Sequence, residues 1–202
     1  MKKIKAANLV IIGASTGGPS ALKELLSEIK INFPFAIIIV QHMTGKSTEI
    51  LASQLDKAFE FKVKEAINEE EITAGTVFIA PGDRHLLIKS NGTFQISSAG
   101  EINGYRPCID VTMQSAAQAF GCCVTGVILS GMGNDGTEGL TSIINSCGDT
   151  FAQSIETCVV SSMPNSAIKK NIVQKIGSPK EIGKWLIEPK VKKYLITGKL
   201  KK

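Results

Sequence analysis

Asn8-Leu9-Val10-Ile11-Ile12-Gly13-Ala14-Ser15-Thr16-Gly17-Gly18-Pro19 is the stretch whose reading decides the fold. Its apolar run is short, rich in β-branched residues and closed by Gly13, which is how a strand buried on both faces of a parallel sheet reads. Pro19 suits the first turn of a helix, where the N–H it lacks has no intrahelical partner. Ala21, Leu22, Leu25, Leu26 and Ile29 then recur at helical spacing. Outward from there, Phe35 to Val40 is a second apolar strand, and Thr48 to Phe59 returns to helical spacing through Ile50, Leu51, Leu55 and Phe59. Strand, helix, strand, helix predicts a doubly wound, mostly parallel sheet with helices on both faces.

The middle of the chain departs from this alternation. Thr76 to Ala80 reads as a strand ended by Pro81-Gly82, and Leu86-Leu87-Ile88 and Phe94-Gln95-Ile96 flank Ser90-Asn91-Gly92. Asn-Gly is a strong hairpin signal, so a small antiparallel hairpin is expected beside the main sheet. The alternation resumes with a helix over Val111 to Phe120 and a strand over Val124 to Leu129. A glycine-rich turn, Ser130 to Gly136, leads into a helix through Leu140, Ile143 and Ile144, and Phe151 starts a further extended piece. Pro164 to Lys170 and Pro179 to Ile187 read as helices that begin on proline. No internal repeat or low-complexity segment interrupts the pattern.

Composition narrows the classes. At 202 residues the chain suffices for one domain with a substantial core. Its formal charge of +5 is local: residues 188–202 carry six lysines against Glu188, leaving the remainder close to neutral. With one Trp and two Tyr as well, a nucleic-acid-binding face is not expected. The runs Leu9 to Ile12 and Ala36 to Val40 are too short for membrane insertion. The basic start, Met1-Lys2-Lys3-Ile4-Lys5, faintly imitates a signal peptide, but the apolar run stops at Gly13, short of the about 7–15 residues such a segment needs. Five cysteines, an odd number without C-x-x-C spacing, suggest reduced thiols and a cytoplasmic location.

Gly13-Ala14-Ser15-Thr16-Gly17 fits G-x-S-x-G, the nucleophile elbow. A strand that turns abruptly into a helix needs small residues around the serine. It leaves the hydroxyl exposed beside N–H groups able to hold an oxyanion. The same turn could instead cradle a phosphate or be purely structural, although no G-x-G-x-x-G or Walker lysine accompanies it. A base is then required, and the chain has two histidines. His42 follows the second strand, and loops after adjacent parallel strands converge at one rim, so it is favoured geometrically over His85. Asp135, past the strand that ends at Leu129, could orient the imidazole; it could equally cap the next helix, and Asp83 and Asp110 compete for the orienting role. The chain order would be Ser, His, Asp. No metal site is expected, because neither the histidines nor the cysteines have ligand spacing.

These segments together resemble the catalytic domain of the chemotaxis protein-glutamate methylesterases, the CheB-type family. The resemblance is carried by Ile12 to Pro19, Gln41-His42-Met43, Ile79 to His85, Arg106-Pro107-Cys108-Ile109-Asp110, Gly126 to Gly136, Cys158-Val159-Val160 and Met163-Pro164, in that order. It spans about Leu9 to Leu186.

The resemblance implies Ser15 as nucleophile, His42 as base, Asp135 as orienting acid and backbone oxyanion donors near Thr16 and Met132. His85, Gly131 and Asn134 stand as supporting candidates. It further implies hydrolysis of glutamate methyl esters on the methylated cytoplasmic helices of chemoreceptors, with release of methanol, deamidation of receptor glutamines in some members, and no cofactor. On this reading residues 1–187 form the catalytic domain and 188–202 a basic tail. Family members commonly carry an N-terminal receiver domain; here the first strand starts almost at Met1, so the expectation is a stand-alone esterase or a truncated sequence. A binding module that keeps the fold without catalysis, and a small-molecule esterase, remain the alternatives.

Overall fold

The apolar run Leu9–Ala14 is strand β1, and it lies at the centre of a seven-stranded parallel sheet. In the computed structural model the described residues are 4–188. All but Glu188 of the basic segment 188–202 therefore lies outside them.

From β1 the chain passes through α1 (Gly18–Leu26), β2 (Ala36–Gln41), α2 (Gly45–Ala58), β3 (Lys62–Glu65) and β4 (Thr76–Ile79). The hairpin β5 (His85–Ile88) and β6 (Phe94–Ser97) forms its own two-stranded antiparallel sheet, with Asn91-Gly92 in its connection as expected. Next come α3 (Ile109–Phe120), β7 (Val124–Ile128), α4 (Thr137–Asn145), β8 (Asp149–Gln153), α5 (Ser162–Lys169), β9 (Lys175–Gly177) and α6 (Pro179–Ile187). The sheet order is β3-β4-β2-β1-β7-β8-β9. The chain winds outward from β1 in one direction, then returns to lay β7 on its other side. That reversal opens a crevice at the carboxyl ends of β1 and β7, where open α/β sheets bind their ligands.

The continuous apolar character of β1 follows from this position. Val10 and Ile12 pack with Leu22, Leu25, Leu51 and Ile182 on the face covered by α1, α2 and α6. Leu9 and Ile11 pack with Ile109, Met113, Leu140 and Phe94 on the face covered by α3, α4 and the hairpin. Alternate side chains thus serve two cores, as a central parallel strand requires. Among the described residues no helix is long and apolar enough to cross a membrane.

Two strands escape a reading by apolar pattern. β3 is Lys-Val-Lys-Glu and β9 is Lys-Ile-Gly, both sheet edges, where charged residues discourage pairing with another chain. Two helices start earlier than their apolar spacing indicates, because distant carboxylates cap them: Asp83 accepts from Gly45 N at 2.8 Å at the head of α2, and Asp135 does the same for α3. α5 begins at Ser162, two residues before Pro164; the N–H groups of a first turn lack intrahelical partners, so proline is accommodated there. α6 spans Pro179–Ile187 as read, fixed by a capping box between Ser178 and Glu181.

The loop after β2 meets the loop after β4 at Gly82. A Cβ there would lie 2.4 Å from the Thr44 carbonyl carbon and 2.5 Å from Gly45 N, both rigid backbone atoms. Gly82→Ala is expected to lower unfolding free energy by about 1–3 kcal/mol, the usual range for overpacking. Urea unfolding beside the parent protein reads this directly, and an unchanged midpoint would show that the contact yields freely.

Candidate active site

Strand register assembles the site. β1 and β2 pair Ala14 with Gln41, so Ser15 and His42 leave the sheet side by side, one strand spacing apart (about 4.8 Å). His42 N donates to Ala14 O at 3.0 Å, continuing the ladder into the loop. On the other flank Leu129 N donates to Gly13 O at 2.9 Å and Ser15 N to Ser130 O at 3.0 Å. Ser15 is therefore held between the loops after β2 and β7, at the crevice.

Buried polar side chains hold the turn that carries it. Gln41 donates through Nε2 to Ser15 O at 2.9 Å, and Gly18 N donates to the same carbonyl at 2.8 Å. The Ser130 hydroxyl donates to Thr16 O at 2.7 Å and accepts from Val160 N at 3.0 Å. Gln153, at the end of β8, takes Ser130 N on its side-chain oxygen at 2.8 Å. Gln41, Ser130 and Gln153 had no role in the sequence reading. Their signal was a polar residue at the carboxyl end of an otherwise apolar strand.

His42 donates through Nε2 to Asp135 Oδ2 at 2.8 Å. The His42 side chain is 14% exposed and that of Asp135 is fully buried. Four more donors converge on the same carboxylate: Ile109 N at 2.7 Å, Asp110 N at 3.0 Å, Gly136 N at 2.9 Å and the Cys108 thiol at 3.3 Å. Burial works to raise the Asp135 pKa. The bonds from His42, Ile109 and Asp110 outweigh it, and the carboxyl stays below the ordinary range. Asp135 is thus an ionised acceptor that fixes the imidazole tautomer, with the proton on Nε2 and the lone pair on Nδ1.

The other candidates lie as follows. Thr16 is exposed in the turn after Ser15, and Met132 is 71% exposed just past Gly131. Gly131 N is committed to Val160 O at 2.8 Å, and its carbonyl accepts from Met163 N at 3.1 Å, so Gly131 braces the rim. Asn134 is exposed, and its carbonyl accepts from Thr137 N at 3.2 Å. His85 is buried at the start of β5 and bonds through Nε2 to Gly100 O at 2.9 Å, which ties the following loop down. Of the competing carboxylates, Asp83 caps α2, while Asp110 accepts from Gly139 N at 2.7 Å and joins α3 to α4.

Cys108, Asp110 and Asp135 bring a thiol and two carboxylates within 4.8 Å of one another. Their chemistry is that of a hydrogen-bond network, since Asp135 is saturated by N–H donors. Burial, then the Asp135 charge, push the Cys108 thiol up to about 12, so it stays a protonated donor.

A doubly wound α/β domain with a serine, a histidine and a buried carboxylate at the carboxyl rim of its strands has the constellation of the serine hydrolases. The CheB methylesterase family model matches residues 10–186, and the chain belongs to that family. It is 39% identical over 186 residues to a Pseudomonas putida protein named protein-glutamate methylesterase/protein-glutamine glutaminase of group 1 operon, covering 92% of this chain and 50% of that protein. A Pseudomonas aeruginosa protein of the same type is 38% identical with the same coverage. The crystal structure of the Thermotoga maritima CheB methylesterase catalytic domain superposes with a TM-score of 0.87 at 40% identity, covering 90% of this chain and 98% of that one. The chain spans about half the length of the curated relatives it matches.

Asp110 gives a pH signature. Burial, partly opposed by the Gly139 amide and reinforced by the Asp135 charge, raises its carboxyl from 3.8 to about 6. The folded state then keeps a proton that the unfolded chain has already lost, so stability falls as pH rises between those values. Asp135, depressed below 3.8, contributes no slope above pH 5. Asp110→Asn keeps an acceptor for Gly139 N and removes the titration. It should gain about 1–1.5 kcal/mol on the parent between pH 5 and pH 7. Parallel urea curves at the two pH values check this; a gain that is the same at both would remove Asp110 from the titration.

Proposed function

We propose that this chain is the catalytic domain of a protein-glutamate methylesterase acting through Ser15, His42 and Asp135. The observation that carries the reading is the 2.8 Å bond from His42 Nε2 to a buried, ionised Asp135, beside a serine held one strand away. Because Nε2 is committed to Asp135, the nitrogen that serves Ser15 is Nδ1. Ser15 Oγ attacks the ester carbonyl as Nδ1 takes its proton, and the tetrahedral oxyanion is held by the backbone N–H groups of Thr16 and Met132. Collapse expels methanol, protonated by the His42 imidazolium, and leaves an acyl-Ser15. Water then attacks the acyl group, its proton goes to Nδ1, and a free glutamate and Ser15 are released. An amide substrate follows the same path with ammonia leaving, which is how glutamine deamidation fits.

The rim favours a protein substrate over a small ester. Met132 and Val159 stand 71% exposed on either side of the Ser15 turn. Val159 presses on Gly17, and Gly131, next to Met132, abuts the Ser15 Cβ. Enclosed apolar pockets serve small ligands, whereas an open crevice with apolar lips suits a side chain presented on a polypeptide. The names of the relatives supply the chemistry of that side chain, a glutamate ester or a glutamine. We accordingly read the partners as methylated cytoplasmic helices of chemoreceptors, the location as cytoplasmic, and residues 1–187 as the catalytic unit.

Methanol release from methylated chemoreceptor cytoplasmic fragments tests this. The parent protein should release methanol, and Ser15→Ala, equally folded, should lose about 10⁴-fold or more of the rate. Comparable release by both would remove Ser15 from the mechanism, and release by neither would point to another substrate.

A further inference from the structure

Tyr105 lies flat against the imidazole of His42, with ring centroids 4.7 Å apart and planes 17° from parallel. A tight turn presents it. Ile102 N donates to Tyr105 O at 3.1 Å and Tyr105 N to Ile102 O at 3.0 Å, with Asn103 and Gly104 between them at φ 53° and 80°. Two left-handed residues in an Asn-Gly pair make a type I′ turn, a compact and stiff connection. Both ends of this segment are anchored. His85 holds Gly100 on one side; on the other, Cys108, Ile109 and Asp110 all donate to Asp135. The segment that orients the carboxylate therefore also covers the ring bound to it. Gly133 closes on the hydroxyl end of the tyrosine: at φ 92° a Cβ there would run into the Tyr105 hydroxyl.

We propose that Tyr105 is a positioning residue for the reaction: its ring sets the plane of His42 and favours the imidazolium that forms whenever Ser15 or water gives up its proton. The proposal rests on the reading of His42 as base. The bond from Nε2 to Asp135 restrains the imidazole at one atom. Rotation about its Cβ–Cγ bond would still swing Nδ1 away from Ser15, and a flat ring on the imidazole face blocks that rotation. The π face also attracts a cation within about 6 Å of its centroid, so the stack favours the protonated ring over the neutral one. Among the described residues, the titratable groups on the elements that meet at His42 are Asp135, bonded to the imidazole, Asp110 at the head of α3, the protonated Cys108 thiol that donates to Asp135, and Asp83, which takes Gly45 N three residues past His42. None of them is altered by changing Tyr105.

Tyr105→Phe and Tyr105→Leu separate the ring from mere bulk, since leucine covers the imidazole without a π face. In methanol release, Tyr105→Leu is expected to lower kcat about tenfold or more with KM within about twofold, and Tyr105→Phe to stay within about twofold of the parent. A readout without substrate is the rate at which a fluorophosphonate labels Ser15, which depends on a correctly placed His42. Leucine should slow it about tenfold or more, and phenylalanine should leave it within about twofold of the parent. Parental kcat and labelling rate in Tyr105→Leu would overturn the proposal, as would equal losses in both variants, which would assign the effect to the hydroxyl. If Tyr105→Leu does not fold, Tyr105→Met takes its place in both measurements. Should the parent release no methanol, the functional reading fails on that result, while the labelling rate still decides the stack.

Discussion

The carboxylate of Asp135, seated on the amino end of α3, is the interaction on which the site depends. A lone buried charge would cost several kcal/mol. Here it meets three backbone N–H groups, one thiol and one imidazole N–H, two of the amides belonging to the first turn of a helix whose dipole favours negative charge. Those bonds keep it ionised despite burial. Because the same oxygens start α3 and hold His42, helix position and imidazole orientation cannot drift apart. Bonding the imidazole and capping a helix are contacts of the one carboxylate. The capped helix is α3, which precedes Asp135, rather than α4, which follows it.

A second constraint comes from the sheet. β1 is buried on both faces and flanked by β2 and β7, which come from the two directions of winding. The residues leaving these three strands must converge at one crevice, and a one-residue slip of β1 against β2 would exchange its two core faces as well as part Ser15 from His42. Folding and site assembly thus share a register. Gln41, Ser130 and Gln153 extend it beyond the strand ends, using side chains to satisfy backbone groups where the ladder stops.

Much of this was legible in the sequence because the deciding segments are locally self-consistent. Leu9 to Gly13 alternates between two cores and so reads as continuously apolar, and Ser15 and His42 follow adjacent strands directly. What was not legible depends on distant partners. β3 and β9 carry too little apolar pattern to stand out, and pairing with β4 and β8 defines them. The true starts of α2 and α3 are set by Asp83 and Asp135 from other loops. Tyr105 was missed although Asn103-Gly104 before it carries the same turn signal as Asn91-Gly92, because nothing local connects that turn to His42. The roles of Gln41 and Ser130 were hidden for the same reason: their partners lie 26 and 114 residues away.

The proposed reaction needs a serine activated by an imidazole that a buried carboxylate holds in place. Treating the folded protein with a fluorophosphonate and locating the adduct by peptide mass spectrometry tests that most directly, since the reagent needs no knowledge of the natural substrate. A single phosphonyl group on Ser15 is expected, absent from His42→Ala under the same exposure. An adduct on another residue, or equal labelling of Ser15 without His42, would contradict it.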